Sequence, residues 1–263
     1  MLGAIAGDMI GVPWESSGEK RYDFPLFSEW SRFSDDTVMT MAVASALLEG
    51  RGYAESMREF GRRHTCAGYG SHFEQWLHDE SMGPYNSWGN GGAMRASPIG
   101  YAVHSADEAL AEAERCAAPT HNHPEGVKGA QAVALAVFLA RSGASKQHIR
   151  AEVASRIGYD LNRTVAGIRP GYSWDLAAER SVPEAIICFL DAQDFEGAVR
   201  NAVSLGGDAD TMACIAGALA EAHWGGVPEH IVEAVRKRLP SEFIDILDRF
   251  RARFRIDREK AHL

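Results

Sequence analysis

Five stretches of this chain are dominated by alanine, leucine and other good helix formers: Val38 to Glu49, Ala106 to Ala117, Gly129 to Arg141, Glu184 to Asp191 and Thr211 to His223. Such side chains lose little rotamer freedom in a helix. Two more stretches, Pro228 to Leu239 and Glu242 to Phe254, repeat apolar residues at i, i+3 and i+4, as amphipathic helices do. Few segments combine β-branched enrichment with period-two alternation, so no sheet is expected. A chain of 263 residues can bury a sizeable core, and no linker, repeat or low-complexity tract divides it. These patterns predict an all-α protein of roughly ten or more helices. The expected form is a compact single-domain orthogonal helical bundle over residues 1–263.

Four long stretches interrupt the pattern: Gly11 to Ser34, Ser81 to Gly92, Ala118 to Glu125 and Tyr159 to Pro183. They are rich in Gly, Pro, Asn, Trp and Asp, and long loops in compact domains often carry function. Asp and Glu outnumber Lys and Arg by 36 to 27, a net charge of −9. Gripping a nucleic-acid backbone needs a basic footprint, so nucleic acid is not an expected partner. The four cysteines form no CxxC pair, which argues against a zinc cage or disulfide framework and fits the reducing cytoplasm. The apolar N-terminus lacks a basic region and carries Asp8, unlike a signal peptide. No apolar run is long enough to span a bilayer, so no membrane partner is expected.

Two acidic clusters open two of the helices. Ser34-Asp35-Asp36-Thr37 precedes VMTMAVASALLE, and Gly206-Gly207-Asp208-Ala209-Asp210-Thr211 precedes MACIAGALAEAH. Either cluster alone reads as a helix cap. A cap needs one oxygen, however, and neighbouring carboxylates repel unless a cation lies between them. Gly206-Gly207 allows a tight turn with close backbone approach. Two such helices side by side would bring both clusters together. The donors are all oxygens, which select Mg²⁺ or Mn²⁺ over zinc or copper. Four carboxylates exceed what one such ion needs, which points to a two-ion centre at the helix N-termini.

SDDT and GGDADT resemble the two metal motifs of the ADP-ribosylglycohydrolases, the dinitrogenase reductase-activating glycohydrolase family. Three more segments agree in order and spacing. LGAIAGDMIGVPWE, ending at Glu15, resembles the family's N-terminal GD…G…E segment. YNSWGNGGAMRASPIG, from Tyr85 to Gly100, resembles its Gly-Asn-Gly loop, and THNHPEGVKGAQAVALAV, from Thr120 to Val137, its histidine loop. The resemblance implies an all-helical hydrolase with two Mg²⁺ or Mn²⁺ ions, cleaving the bond between the distal ribose C1 of ADP-ribose and an acceptor, with ADP-ribose as product. It implies metal ligands at Ser34, Asp35, Asp36, Asp208, Asp210 and Thr211. One departure lies at Ala178-Glu179-Arg180, where the family usually reads Cys-Gln-Gly before Ser-Val-Pro; this loop is expected on the acceptor side.

Glu15, in a loop after Pro13 and Trp14, would otherwise read as an ordinary solvated acid. The resemblance makes it an acid/base or positioning residue, able to receive or hold the leaving atom. Asp36 is the second catalytic candidate, expected to contact both metals and the attacking water. Ser87, Trp88, Gly89, Asn90 and Gly91 read as a turn by composition and, by resemblance, as the loop that binds the ADP-ribose phosphates. Tyr85 or Trp88 could stack on adenine or ribose. His121 matches the family histidine and is expected to hydrogen-bond the substrate, whereas His123 reads as a helix-start residue. His121 and His123 lack the further ligands that zinc requires. Arg95 could contact phosphate or form a buried ion pair. The charge run Arg249 to Lys260 reads as a solvated helix end.

The acceptor could be an arginine (the first choice), a serine, a nucleic-acid end or a free small molecule. A monomer is expected, because the amphipathic faces can all be used internally. Two other readings stay open: a silent ADP-ribose-binding or structural member of the fold, and a di-metal nucleotide phosphohydrolase. Intact carboxylates favour activity over silence, and the Gly-Asn-Gly and histidine loops favour the glycohydrolase.

Overall fold

A computed structural model describes residues 1–254. Fifteen α-helices follow one another among them: Leu2–Gly11 (α1), Asp35–Glu49 (α2), Tyr53–Arg63 (α3), Ser71–His78 (α4), Gly91–Met94 (α5), Ser97–Ala102 (α6), Ala106–Ala117 (α7), Pro124–Arg141 (α8), Lys146–Ile157 (α9), Val165–Ile168 (α10), Ala178–Asp191 (α11), Phe195–Val203 (α12), Ala209–Trp224 (α13), Glu229–Arg236 (α14) and Ser241–Phe254 (α15). One 3₁₀ turn, Val12–Trp14, extends α1. No strand forms among the described residues; a single backbone bridge pairs Gly89 with Ala177. The fold is all-α, as the alanine- and leucine-rich stretches predict. Of the charge run Arg249 to Lys260, residues 255–260 lie outside the described part.

Two helices form the centre. Every residue of α1 is buried, and α13 is buried continuously from Ala209 to Ala222. A helix apolar on all sides must be enclosed by others. Here α11, α12 and α8 pack on α13, while α2 lies against α1 and carries α3 and α15 outside it.

The contact between α1 and α13 is close because it has almost no side chains. Gly3, Gly7 and Gly11 recur every four residues and so form one stripe along α1. A Cβ on Gly3 would overlap the Gly217 carbonyl, one on Gly7 the Ala213 carbonyl, and one on Gly11 the Asp210 backbone. The stripe thus sets α1 directly on the N-terminal half of α13. Asp8, the neighbour of Gly7, is thereby carried to the start of that helix.

The alanine-rich stretch Ala106–Ala117 is α7 in full. The others begin earlier than their apolar runs. α2 starts at Asp35 and α13 at Ala209, so three residues of each acidic cluster belong to a first helical turn. The long loop predicted to end at Pro183 ends at Ala178 instead, with Pro183 inside α11. Proline's missing N–H forfeits one bond, to the Glu179 carbonyl. Glu179 is exposed there, so water can take that place.

Candidate active site

At α2 the cap and the spare carboxylates separate. Ser34 is the N-cap, its hydroxyl accepting from the Asp36 backbone N–H at 3.2 Å. Asp36 is therefore not needed as a cap, and its Oδ1 is sealed from solvent with no hydrogen-bond partner. Its Oδ2 accepts from Ser34 Oγ at 3.3 Å and from Thr211 Oγ1, across on α13, at 3.2 Å. That last bond joins the two acidic clusters directly. Asp8 reaches in from α1. Its carboxylate accepts from the Ser34 backbone N–H at 3.0 Å, from Ser34 Oγ at 2.8 Å, from the Thr37 N–H at 3.1 Å and from the Thr37 hydroxyl.

At α13 no side chain caps the helix, although Asp208 occupies the N-cap position. Its Oδ2 instead accepts from the Asn90 amide at 2.6 Å, and that amide also donates to Ser181 Oγ at 3.2 Å. The Asn90 backbone N–H goes to the Leu176 carbonyl at 2.9 Å. Asn90 therefore holds Asp208 and ties the 85–91 loop to the 172–178 segment. Gly206 makes the turn before Asp208 with φ of 68°, and a Cβ there would meet the Gly18 and Glu19 carbonyls. A Cβ on Gly207 would strike the ring of Tyr172. Lys20 donates to the carbonyls of Arg169, Tyr172 and Leu205, pinning the same loops from behind.

Two overlapping acidic groups result. Asp8, Asp36 and Asp210 can each offer an oxygen within 4.8 Å of the others, and so can Glu15, Asp208 and Asp210. Burial is the largest influence on every one of these acids and pushes their pKa values up. Asp8 rises from 3.8 to about 6, against hydrogen bonds from Thr37 and Ser34. Asp36 and Asp210 rise well above the carboxylate range, with the neighbouring carboxylates adding to burial. Glu15 rises through burial, then Asp208 and Asp8, partly offset by Arg32. Asp35, in neither group, is raised well above its ordinary value by burial, then by Asp8 and Asp208. Oxygen donors, crowded negative charge and one orphaned carboxylate oxygen are what a divalent cation fits.

All of these acids except Asp8 line a cleft of about 580 Å³. Glu15, Asp35, Asp36, Asp208, Asp210 and Thr211 line it together with Ser87 to Gly91 and His121. The predicted site residues thus converge, except that Ser34 stands behind the wall, bonded to Asp8 and Asp36. His123 is the N-cap of α8, accepting from the Glu125 N–H at 3.2 Å. Trp88, Trp174 and Leu176 form an exposed apolar rim, each at least 40% exposed. His72 stacks on Tyr85 in the same wall. Asp8, held by Thr37 of the first cluster, joins the acids beyond the ligand set that the motifs imply. The available signal was an aspartate inside a wholly apolar helix, which must find buried partners.

A family model described as ADP-ribosylglycohydrolase matches residues 1–259. The chain belongs to that family. It is accordingly a glycosidic-bond hydrolase. The chain is 27% identical to "ADP-ribosylhydrolase ARH3" of Danio rerio, over 86% of this chain and 81% of that protein. It is 26% identical to "ADP-ribosylarginine hydrolase Tri1" of Pseudomonas putida (strain GB-1), over 89% of this chain and 72% of that one. A solved structure described as "ADP-ribosylglycohydrolase-related protein complex" superposes with a TM-score of 0.70 at 25% identity, covering 97% of each chain. No helix among the described residues is long and apolar enough to cross a membrane.

The raised carboxylates give this ADP-ribosylglycohydrolase a testable pH signature. A carboxyl that holds its proton more tightly when folded stabilises the fold below its unfolded pKa, and that contribution is lost as pH rises through the folded value. For Asp8 the window runs from 3.8 to about 6. Bound cations need these groups deprotonated. The gap between the melting temperatures with Mn²⁺ and with EDTA is therefore expected to widen as pH rises through this window. Thermal unfolding measured in both conditions checks this; a gap independent of pH would count against the acids as the cation site.

Proposed function

We propose that this chain hydrolyses the glycosidic bond between ADP-ribose and a modified protein side chain, arginine before serine, with two Mg²⁺ or Mn²⁺ ions as cofactor. The observation that carries this reading is the convergence of five carboxylates on one cleft, one of them with a buried, unpartnered oxygen. Two acidic groups sharing Asp210 support two ions, with Ser34, Asp35, Asp36, Asp208, Asp210 and Thr211 as the proposed ligands. Bound cations would supply positive charge for the ribose hydroxyls and for the attacking water.

The chain's own residues would do the rest. Asp36 would take a proton from the water. Glu15 is half-buried at the cleft wall and would hold or receive a proton at the departing acceptor atom, as glycoside cleavage requires. Ser87 to Gly91 would bind the phosphates and His121 a sugar or phosphate oxygen, while Trp88 or Tyr85 offers a ring face to the adenine or ribose. Arginine as acceptor rests on two points: the acidic cleft suits a guanidinium, and the Pseudomonas putida relative is named for ADP-ribosylarginine. We also propose one domain over residues 1–263 and a cytoplasmic monomer, supported by four free thiols and by the burial of apolar helix faces within the chain.

Arginine- and serine-ADP-ribosylated peptides, incubated with Mg²⁺ and then with EDTA, test the proposal through released ADP-ribose. Release that needs Mg²⁺ names the acceptor; no release from either peptide overturns the acceptor assignment. Glu15→Gln is expected to slow turnover about 10²-fold while weakening ADP-ribose binding far less. Lost binding with retained rate would make Glu15 a binding residue only.

A further inference from the structure

Arg95 is fully buried at the C-terminal end of α5, in the wall of the cleft. It has no ion pair among the described residues, and its Nε and Nη1 lack any hydrogen-bond partner. One nitrogen makes all its contacts. Nη2 donates to the Cys116 carbonyl at 3.2 Å and to Thr120 Oγ1 at 2.8 Å. Thr120 is also fully buried, and its Oγ1 lies 2.8 Å from His121 Nδ1.

The direction of that last bond follows from the donor inventory. A guanidinium only donates, so the Thr120 oxygen accepts from it and keeps its own proton for another acceptor. Among the described residues the acceptor in reach is His121 Nδ1. Were Nδ1 protonated, the Thr120 hydroxyl hydrogen would be buried with nowhere to go, which folded proteins avoid. Nδ1 is then bare, and the ring proton sits on Nε2. That nitrogen packs over the 89–91 backbone, 2.8 Å from where a Cβ on Gly91 would stand, in the wall of the cleft. Burial first and the Arg95 charge second hold the ring well below the usual histidine range, so a second cation beside Arg95 is disfavoured. Tyr85 meets the ring edge-on at 6.2 Å and limits its rotation.

We propose that Arg95 and Thr120 are positioning residues that fix His121 as the neutral Nε2–H tautomer, aimed into the cleft as a hydrogen-bond donor to an oxygen of the ADP-ribosyl group. The identity of that oxygen's owner rests on the function proposed above; the tautomer does not.

Two-bond ¹H–¹⁵N NMR of ¹⁵N-histidine protein reads the tautomer without substrate, with the His121 peaks identified by their loss in His121→Gln. The expected spectrum shows Nδ1 as the bare nitrogen and Nε2 as the protonated one, unchanged as pH falls through the range where exposed histidines charge. An Nδ1–H tautomer, or an imidazolium in that range, overturns the proposal. Thr120→Val should scramble the tautomer and weaken ADP-ribose binding on the order of tenfold with Mn²⁺ affinity unchanged, and Thr120→Ser should restore both. The wild-type spectrum decides the matter even if Thr120→Val fails to fold. Calorimetric ADP-ribose binding that leaves the Nε2 resonance unmoved would overturn the donor role. Absence of ADP-ribose binding would instead count against the proposed function, with the tautomer still decided by the wild-type spectrum.

Discussion

Asp36→Ala is expected to lower kcat/KM on the order of 10³-fold or more, and yet to leave the metal-free protein at least as stable as the wild type. The two halves have one cause. Asp36 is a buried carboxylate with one oxygen bonded to hydroxyls and the other bonded to nothing. It crowds against Asp8, Asp35 and Asp208, which add to burial in raising its pKa well above the ordinary value. In the absence of a cation such a group strains the fold, so its removal relieves repulsion and costs little packing. With Mn²⁺ present the order reverses, because the wild type gains stability from the ion and the variant loses a ligand. Melting temperatures of both proteins, each with Mn²⁺ and with EDTA, read this crossing. Peptide hydrolysis reads the rate. Asp210, common to both acidic groups, should behave alike. Normal turnover in both variants would sink the di-metal reading.

The second large effect sits away from the chemistry. Gly7→Ala is expected to destabilise the protein by at least about 3 kcal/mol, through overpacking against backbone that cannot step aside. That corresponds to a fall in Tm of roughly 6–12 °C for a chain of this size. The added methyl would overlap the carbonyl of Ala213, within a helix buried continuously from Ala209 to Ala222. Any relaxation must part α1 from α13, and Asp8 moves with α1. Metal affinity should therefore fall along with stability. Gly52→Ala is the control: nothing lies within 4 Å of its new methyl, and its φ of −68° suits alanine. That change should stay within about 1 kcal/mol. A Gly7→Ala protein as stable as the control would mean that α1 and α13 do not meet through bare backbone.

The fold class was legible because the alanine-rich runs are long and uninterrupted, and the acids were legible because they cluster. What could not be read were helices whose signal is weak or of another kind. α1 is apolar on every face and holds three glycines, so it shows neither amphipathic period nor high propensity; only its partner α13 makes it a helix. α3 and α12 are short and each carries a helix-weakening glycine, so neither forms a long run of good helix formers. α11 begins before its proline, which reads locally as a stop. Within the site, SDDT and GGDADT named the acids, but not that Ser34 would serve as cap and brace. Nor did they show that Asn90 would spend its amide on Asp208. The brace depends on Asp8, 26 positions from Ser34, and the Asn90 bond on Asp208, 118 positions away. No local pattern encodes them.

The stripe of glycines has a consequence for how the chain is made. α1 leaves the ribosome ahead of its permanent partner α13, which starts some two hundred residues later, on the order of 10–40 s at ordinary synthesis rates. For that interval an apolar helix with no polar face has α2 on one side only, and half of the acidic centre waits without the other half. A growing chain of this protein is therefore sticky early and inert until late: an obvious client for holding chaperones, and one that acquires its capacity for cations only when the thirteenth helix docks.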